Sequence, residues 1–382
     1  MRARRVGLPL VVAAGLAALI AVAGTGLLRH ADRSDASTGY PDRPLRSAAG
    51  AHGPVCDRVA ALSGHDRSRG TADAPFRTAG RLVSALRPGQ TGCLGSGTYR
   101  EDVTLAQHHV TLRERPGARA TIVGRLWVKR GADHDTISGL TLDARNRRGL
   151  PSPTINADDT ELVGNVITDR HTTICLQIGS PRYGRAHRTV VRENRIHDCG
   201  KRPSANRDHG IYVAAADDTR IVDNVIYDNV DRGIQLYPDA QRTLIAGNVI
   251  DGNGEGIIFS GQGRVASAGT TVRNNIIANA RIRADVESWY PHGSRRGRGN
   301  VVRANCLFGG RGGVVDRAAG GFVAIGNTVA DPAYVNRRNG DFRLAAGSRC
   351  AQLLARSRAP AGLDGQPPTG WVSQPLPART VG

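Results

Sequence analysis

The sequence predicts an all-β solenoid in which short strands wind into stacked coils, and two features of residues 206–261 predict it. Residues 208–213, 231–236 and 254–259 repeat one pattern, and their glycines at 210, 233 and 256 recur every 23 residues, a period typical of stacked-coil repeats. Each copy also holds short runs that alternate apolar and polar residues, which is the period of a strand rather than of a helix. Such a run cannot bury its apolar face alone, so we expect parallel sheets around an apolar interior.

An asparagine recurs near the end of one short run in each coil and predicts a turn there. The members are separated by 22 to 30 residues and are Asn165, Asn194, Asn224, Asn248, Asn275, Asn305 and Asn327. Asparagine tolerates the left-handed conformation and can hydrogen-bond to neighbouring backbone. We therefore expect a structural column of turn residues, with one loop that varies in length while the coil cross-section stays constant.

Residues 1–30 have the pattern of a secretory signal peptide. Three arginines within the first five residues precede an uncharged run over 6–28, and the small residues 21–23 offer a cleavage site. The run of 23 uncharged residues is also long enough for an uncleaved membrane anchor, and only then would the protein contact a membrane. In both cases the rest of the chain works outside the cytoplasm.

The remaining chain divides into a linker over 31–54, one solenoid over 55–350 and a Pro-, Ala- and Arg-rich tail over 351–382. Within the solenoid, apolar residues at helical spacing over 76–86 predict a short amphipathic helix. Such a helix would cap the open end of the coil stack and protect its edge strand.

Six cysteines in an exported chain predict three disulfides rather than a metal site. Fifteen connectivities are possible. Proximity along the coils favours one pairing at the N-terminal cap, one within a coil and one to the C-terminal segment: Cys56–Cys93, Cys175–Cys199 and Cys306–Cys350.

The charge balance favours an acidic partner. The formal net charge is +19, and 50 of the 52 basic residues are arginine. An exported basic protein suits uronate polymers, teichoic acids or anionic lipid. We expect no nucleic-acid partner, because no recognised binding module is present, and we expect a monomer.

The repeat pattern resembles the right-handed parallel β-helix repeat family, the architecture of pectate lyase-like proteins, over roughly residues 90–345. Residues 75–99 and 331–348 are similar to the opening and closing segments of secreted members. The resemblance implies a right-handed solenoid and carbohydrate handling. No subfamily motif is complete: residues 208–210 match only a fragment of the polygalacturonase motif, and the Asp-Pro-His-Asp motif of mannuronan epimerases is absent.

If Ile211 and Val213 point inward, their polar neighbours point outward and form columns along one wall, with about 4.8 Å between coils. The first predicted column contains His209, Arg232 and Glu255. The second contains Tyr212, Gln235, Ile258 and Asp285. The third contains Ala214, Tyr237, Ser260 and Glu287. The loop 200–207, with Lys201 and Arg202, is expected to approach this wall from the side.

Such a wall suits a linear acidic polysaccharide, and the favoured function is a lyase or epimerase that abstracts a proton α to a uronate carboxylate. This reaction needs a cation on the carboxylate, a base with a pKa near neutrality and a proton donor. We assign these roles to Arg232, to His209, and to Tyr212 or Tyr237. The expected substrate-binding residues are Lys201, Arg202, Asp208, Gln235, Glu255, Asp285 and Glu287.

Two other functions remain open. A glycoside hydrolase would use Asp208 together with Asp231 or Glu255, and a non-catalytic protein would only bind glycan or cell wall. Purely structural interpretations also stand: a turn role for His209, a weak surface ion pair between Arg232 and Glu255, and tyrosines that pack on a pleated face. The recurring Asp208, Asp231 and Asp251 are turn-formers or, alternatively, ligands of a calcium ion.

Overall fold

Three long parallel sheets form the walls of a solenoid in the computed structural model, which describes residues 55–356. Sheet 1 contains β1 (Arg58–Ala60), β2 (Thr91–Leu94), β5 (Thr111–Glu114), β8 (Thr136–Ser138), β11 (Glu161–Val163), β15 (Val190–Arg192), β18 (Arg220–Val222), β21 (Leu244–Ala246), β25 (Thr271–Arg273), β28 (Val301–Arg303) and β30 (Val323–Ile325). Sheet 2 contains β3 (Gly97–Arg100), β6 (Ala120–Val123), β9 (Thr141–Asp143), β12 (Val166–Thr168), β16 (Arg195–His197), β19 (Val225–Tyr227), β22 (Val249–Asp251), β26 (Ile276–Ala278), β29 (Cys306–Phe308) and β31 (Thr328–Val329). Sheet 3 contains β4 (Val103–Leu105), β7 (Leu126–Val128), β10 (Thr154–Ile155), β13 (Leu176–Ile178), β14 (Ala186–His187), β17 (His209–Asp217), β20 (Arg232–Gln241), β23 (Glu255–Gln262), β24 (Val265–Ala266) and β27 (Val286–Trp289).

The chain closes with a short antiparallel pair and a helix. The pair is β32 (Tyr334–Asn336) and β33 (Asp341–Leu344), joined by the 3-10 turn Arg337–Asn339. The helix α2 (Arg349–Arg356) covers the first residues of the expected tail. The rest of the tail, the predicted signal segment 1–30 and the linker 31–54 lie outside the described residues. None of the described helices has the length and apolarity needed to cross a membrane.

The predicted capping helix is confirmed with narrower bounds, as α1 (Ala79–Ala85). It begins there because the Thr78 hydroxyl accepts the amide of Arg81, which satisfies one of the free N–H groups of the first turn. The Glu101 carboxylate accepts the amides of Ala79 and Gly80 at 2.8 and 2.9 Å. The helix buries Ala79, Leu82 and Val83 against the first coils.

Strand alternation places aliphatic side chains in one continuous core, as predicted. Ile211, Val213 and Ile234 are fully buried, and the same holds for their counterparts in successive coils. Burial of each such side chain contributes about 1.5–3 kcal/mol. The core therefore grows by a similar increment with every coil and needs no second domain.

The asparagine column is a continuous hydrogen-bonded ladder. The Oδ1 of Asn194 accepts both the backbone amide and the Nδ2 of Asn165, at 2.9 and 3.0 Å, and each later member repeats this contact. The left-handed residue is the one before each asparagine, contrary to the expectation that asparagine itself adopts it: Gly164, Glu193, Asp223, Gly247, Asn274, Ala304 and Gly326. That turn leaves the asparagine buried, where its amide reaches the backbone of adjacent coils.

All six cysteines form disulfides with the predicted connectivity, namely Cys56–Cys93, Cys175–Cys199 and Cys306–Cys350. The first joins the residue two positions before β1 to β2 at the capped end, and the third joins β29 to α2. Paired cysteines of this kind are typical of proteins that fold outside the cytoplasm.

Replacement of a ladder residue should destabilise the whole stack. Asn224→Ala removes the acceptor of the Asn194 amide and the Nδ2 donor to the carbonyls of Val191 and Val222 in a buried site, and a buried group left unsatisfied costs about 1–3 kcal/mol. We expect the free energy of unfolding to fall by about 1–3 kcal/mol in urea titrations. The exposed Asn336, which makes no capping hydrogen bond, provides the control Asn336→Ala, which should change the value little.

Candidate functional site

The first predicted column exists but is buried. Parallel pairing places His209 beside Arg232 and Arg232 beside Glu255, as the repeat period predicts. The three side chains are only 2–5% exposed, so they do not form an open outer wall. This part of the prediction was wrong: Arg232 is held by Glu255 and by the loop carbonyl of Asn206, and Glu255 lies between Arg232 and Arg283.

The carboxylate of Asp231 holds that loop in place. It accepts the Ser204 hydroxyl and the backbone amides of Arg207 and Asp208, the latter two at 2.5 and 2.8 Å. In addition, Nη1 of Arg232 donates to the backbone carbonyl of Asn206 at 3.1 Å. The loop is thus anchored by both the turn aspartate and the column arginine.

An ionic network runs across the coils from the buried column. Nε of Arg232 donates to Glu255 at 2.9 Å. Nε of Arg283 lies 3.2 Å from Glu255 and 3.0 Å from Glu287. Burial raises the pKa of Glu255 to about 6, although the nearby Arg232 acts in the opposite direction. The network contains two carboxylates and two guanidinium groups, so its charges balance.

His209 is neutral at physiological pH. Burial lowers its pKa well below the usual value, and the positive charge of Arg232 adds to the effect. Its Nδ1 is buried without a hydrogen-bond partner. A base with a pKa near neutrality was expected at this position, and the imidazole is a much weaker base than that.

A pocket of about 460 Å³ opens beside this network on the outer face of sheet 3. Tyr212 and Tyr237 stack along one side of it, with ring centroids 6.4 Å apart. Burial raises the pKa of Tyr212 to about 12 and also raises that of Tyr237, so both hydroxyls remain protonated. The pocket is lined by Asn206, Arg207, His209, Tyr212, Arg232, Gln235, Tyr237, Ile258, Ser260, Arg283, Glu287 and Trp289.

The predicted positions of Asp285 and Glu287 were wrong by one column. Glu287 pairs with Ile258 in the column predicted for Asp285. Asp285 precedes β27, is fully buried, and accepts the amides of Ala280 and Gly310 at 3.1 and 3.2 Å. Asp285 therefore cannot contact a substrate and instead fixes two turns.

The other expected substrate-binding residues divide into two groups. Gln235 lines the pocket, whereas Lys201 and Arg202 are exposed in the loop and do not line it. Asp208 accepts the backbone amide of Lys201 at 3.0 Å and likewise lies outside the lining.

Four pocket residues were not predicted as site residues from the sequence: Asn206, Arg207, Arg283 and Trp289. The Trp289 side chain is 50% exposed. It follows Glu287 by two residues, so correct alignment of β27 would have revealed it. Nothing in the repeat pattern could place Arg207, which lies in the loop.

The recurring aspartates do not converge on a cation. Asp231 binds the loop, and Asp251 pairs with Arg337 at 2.5 Å and accepts Nδ2 of Asn279 at 2.8 Å. Within residues 55–356, no three His, Cys, Asp or Glu side chains are grouped so that they could hold a metal ion. Asp231 thus anchors the loop and Asp251 a turn.

Other proteins of known structure share this fold. A family model described as "Right handed beta helix region" matches residues 154–329. The solved complex of XylC with xylose has a TM-score of 0.52 and 13% identity, covering 67% of both chains. Pectate lyase Pel9A has a TM-score of 0.51 and 14% identity, covering 78% of this chain and 91% of its own.

A structure described as a rhamnogalacturonan lyase has a TM-score of 0.50 and 12% identity, covering 78% of this chain and 97% of its own. No curated protein matches the chain by sequence. The fold is therefore a right-handed parallel β-helix, and identities this low speak to the fold alone.

The free energy of unfolding should fall as the pH rises, in part because Asp285 loses its proton in the folded state. Burial raises its pKa to about 7, above the value of about 3.9 in an unfolded chain, so the folded state binds its proton more tightly. This contribution is fully present below about pH 4 and is lost as the pH rises through about 7. Asp285→Asn should flatten the decline of unfolding free energy between these values, as measured by urea titration. An unchanged slope would contradict the assignment.

Proposed function

We propose that this β-helix protein acts on an acidic polysaccharide outside the cytoplasm, as a lyase or epimerase. The proposal depends on one observation: a single pocket brings together Glu287, Arg207, Arg283 and Tyr237. A carboxylate, a cation and a phenol are the groups that proton abstraction α to a carboxylate requires. The three disulfides support export, and attachment to the membrane would follow if the N-terminal segment stays uncleaved.

The arginines of the pocket would neutralise the uronate carboxylate. A guanidinium group matches a carboxylate with two parallel hydrogen bonds, and neutralisation makes the α-proton easier to remove. Arg207 and Arg283 line the pocket, and the Arg283 side chain is 42% exposed. Arg232, the expected neutraliser, is held by Glu255 and Asn206, so its role in this proposal is to position the loop.

Glu287 would remove the α-proton and Tyr237 would protonate the leaving oxygen. A glutamate is a sufficient base for a proton α to a carbonyl group. In elimination, the α C–H bond gives its proton to Glu287 and the bond from the β-carbon to the glycosidic oxygen breaks. A carbon–carbon double bond forms, and the hydroxyl proton of Tyr237 passes to the released oxygen. In epimerisation, a proton returns to the α-carbon from the opposite face.

Aromatic rings would hold the sugars. Tyr212, Tyr237 and the half-exposed Trp289 present ring faces and polar edges to the same pocket, a combination that suits surfaces that are partly apolar and partly hydrogen-bonding. His209 lies behind Tyr212, with ring centroids 5.7 Å apart. In the proposal it positions that ring and takes no proton.

A glycoside hydrolase is the second candidate, because Glu255 and Glu287 contact the same Nε of Arg283. The contacting oxygens are thus no further apart than the sum of 3.2 and 3.0 Å, compared with about 5–5.5 Å between the carboxyl groups of retaining enzymes. The raised pKa of Glu255 also suits a general acid. However, Arg283 lies between the two carboxylates, and Glu255, unlike Glu287, does not line the pocket.

Glu287→Gln should abolish turnover. We expect a loss of roughly 10²- to 10⁴-fold in the rate of unsaturated uronate formation, measured by ultraviolet absorbance on a panel of acidic polysaccharides with and without calcium. The control is Glu193→Gln, which removes the same charge outside the pocket. New reducing ends without absorbance would indicate hydrolysis, and binding without any product would indicate a non-catalytic glycan-binding protein.

Tyr237→Phe should lower kcat by about 10²-fold while changing KM less, because only the proton donor is removed. The thermal unfolding midpoint should stay close to that of the unmodified protein, since the hydroxyl contacts only the exposed Gln262. Tyr183→Phe, at a half-exposed tyrosine outside the pocket, serves as the control. Full activity of the Tyr237 variant would refute the role of this hydroxyl.

A further inference from the structure

A second, smaller cleft adjoins the pocket on the same face. It has a volume of about 150 Å³. Asp239 and Gln241 on β20 form one side, and the hairpin of β23 and β24 with the segment 295–298 forms the other. Four of its lining residues are arginines, and we call it the arginine cleft: Arg264, Arg295, Arg296 and Arg298.

Backbone hydrogen bonds fix the positions from which these arginines project. The amide of Arg295 donates to the carbonyl of Gly263 at 2.7 Å, and the amide of Gly263 donates to the Ser294 hydroxyl at 3.0 Å. The carbonyl of Arg298 accepts the amide of Gly269 at 2.8 Å. The segment is therefore tied to the hairpin turn at one end and to the next coil at the other.

The positive charge of the cleft is not balanced by the protein. No ion pair joins any of these four guanidinium groups to a carboxylate of residues 55–356. The one acidic residue in the lining, Asp239, pairs with Arg185 and accepts Nε2 of Gln241 at 2.6 Å. By contrast, Arg232 and Arg283 in the main pocket are both paired with glutamates. Four like charges around one small cleft favour an anionic ligand.

We propose that the arginine cleft binds an anionic group, a carboxylate or a sulfate ester, on the same polysaccharide that occupies the main pocket. The assignment of the ligand to a polysaccharide rests on the proposed function. Guanidinium groups bind both anions through paired hydrogen bonds. The two sites are adjacent, because the hydroxyl of Tyr237 in the pocket bonds to Gln262 of the hairpin. The cleft thus selects acidic over neutral chains and sets the position of the sugar next to the reacting one.

The test compares two double variants that lose the same charge. Arg295→Gln with Arg298→Gln empties the cleft of two guanidinium groups, whereas Arg87→Gln with Arg100→Gln removes two exposed charges near the capped end. Binding of polygalacturonate and of dextran sulfate is measured by calorimetry at low and at high salt. We expect the cleft variant to bind at least one polymer about tenfold more weakly, which corresponds to about 1.4 kcal/mol, with a smaller dependence on salt. The control variant should bind like the unmodified protein.

The two polymers distinguish the sources of the anion. Weaker binding of polygalacturonate alone identifies a carboxylate, and weaker binding of dextran sulfate alone identifies a sulfate ester. Equal affinity of both double variants for both polymers would overturn the inference, as would a lack of binding by the unmodified protein. These measurements need no turnover, so a protein that binds through the cleft but forms no product would refute only the lyase or epimerase proposal.

Discussion

Hydrogen bonding from coil to coil fixes the strands from which most side chains of the main pocket project. Parallel strands of sheet 1 pair residue for residue through successive coils, and the buried asparagine ladder connects adjacent turns through both side chain and backbone. Each ladder amide is satisfied only when its neighbours keep their places, since a buried polar group without a partner is costly. As a result, polar side chains on sheet 3 lie in fixed columns.

The buried column of His209, Arg232 and Glu255 supports the pocket. Ions removed from water require close partners, because the desolvation cost otherwise exceeds the attraction. Arg232 meets this condition through Glu255 and the loop carbonyl of Asn206, and Glu255 is shared with Arg283. The network is therefore rigid. It holds Arg283 beside Glu287 at the pocket and ties the loop to Arg232 through the carbonyl of Asn206.

The two arginine-rich sites differ in how their charge is balanced. In the main pocket the glutamates neutralise Arg232 and Arg283, so bound uronate must compete with or extend an existing network. In the arginine cleft the charge remains available to a ligand. A polymer that binds both sites would be oriented by the arginine cleft and would react in the main pocket. An acidic polymer of this kind also suits the strongly basic composition of the chain.

The sequence by itself determined the solenoid, the asparagine column and the alignment of His209, Arg232 and Glu255, whereas it only favoured the disulfide pairs that the structure contains. These follow from local periodicity, because coils of equal length keep equivalent residues in register. Where a loop lengthened before β27, the period no longer applied, and Asp285 and Glu287 were placed one column away from their observed positions. Only the tertiary structure decided which polar residues are buried and which line the pocket. The position of Arg207 depends on how the loop 200–207 packs, and loop packing has no repeat to reveal it, whereas Trp289 follows from the alignment of β27.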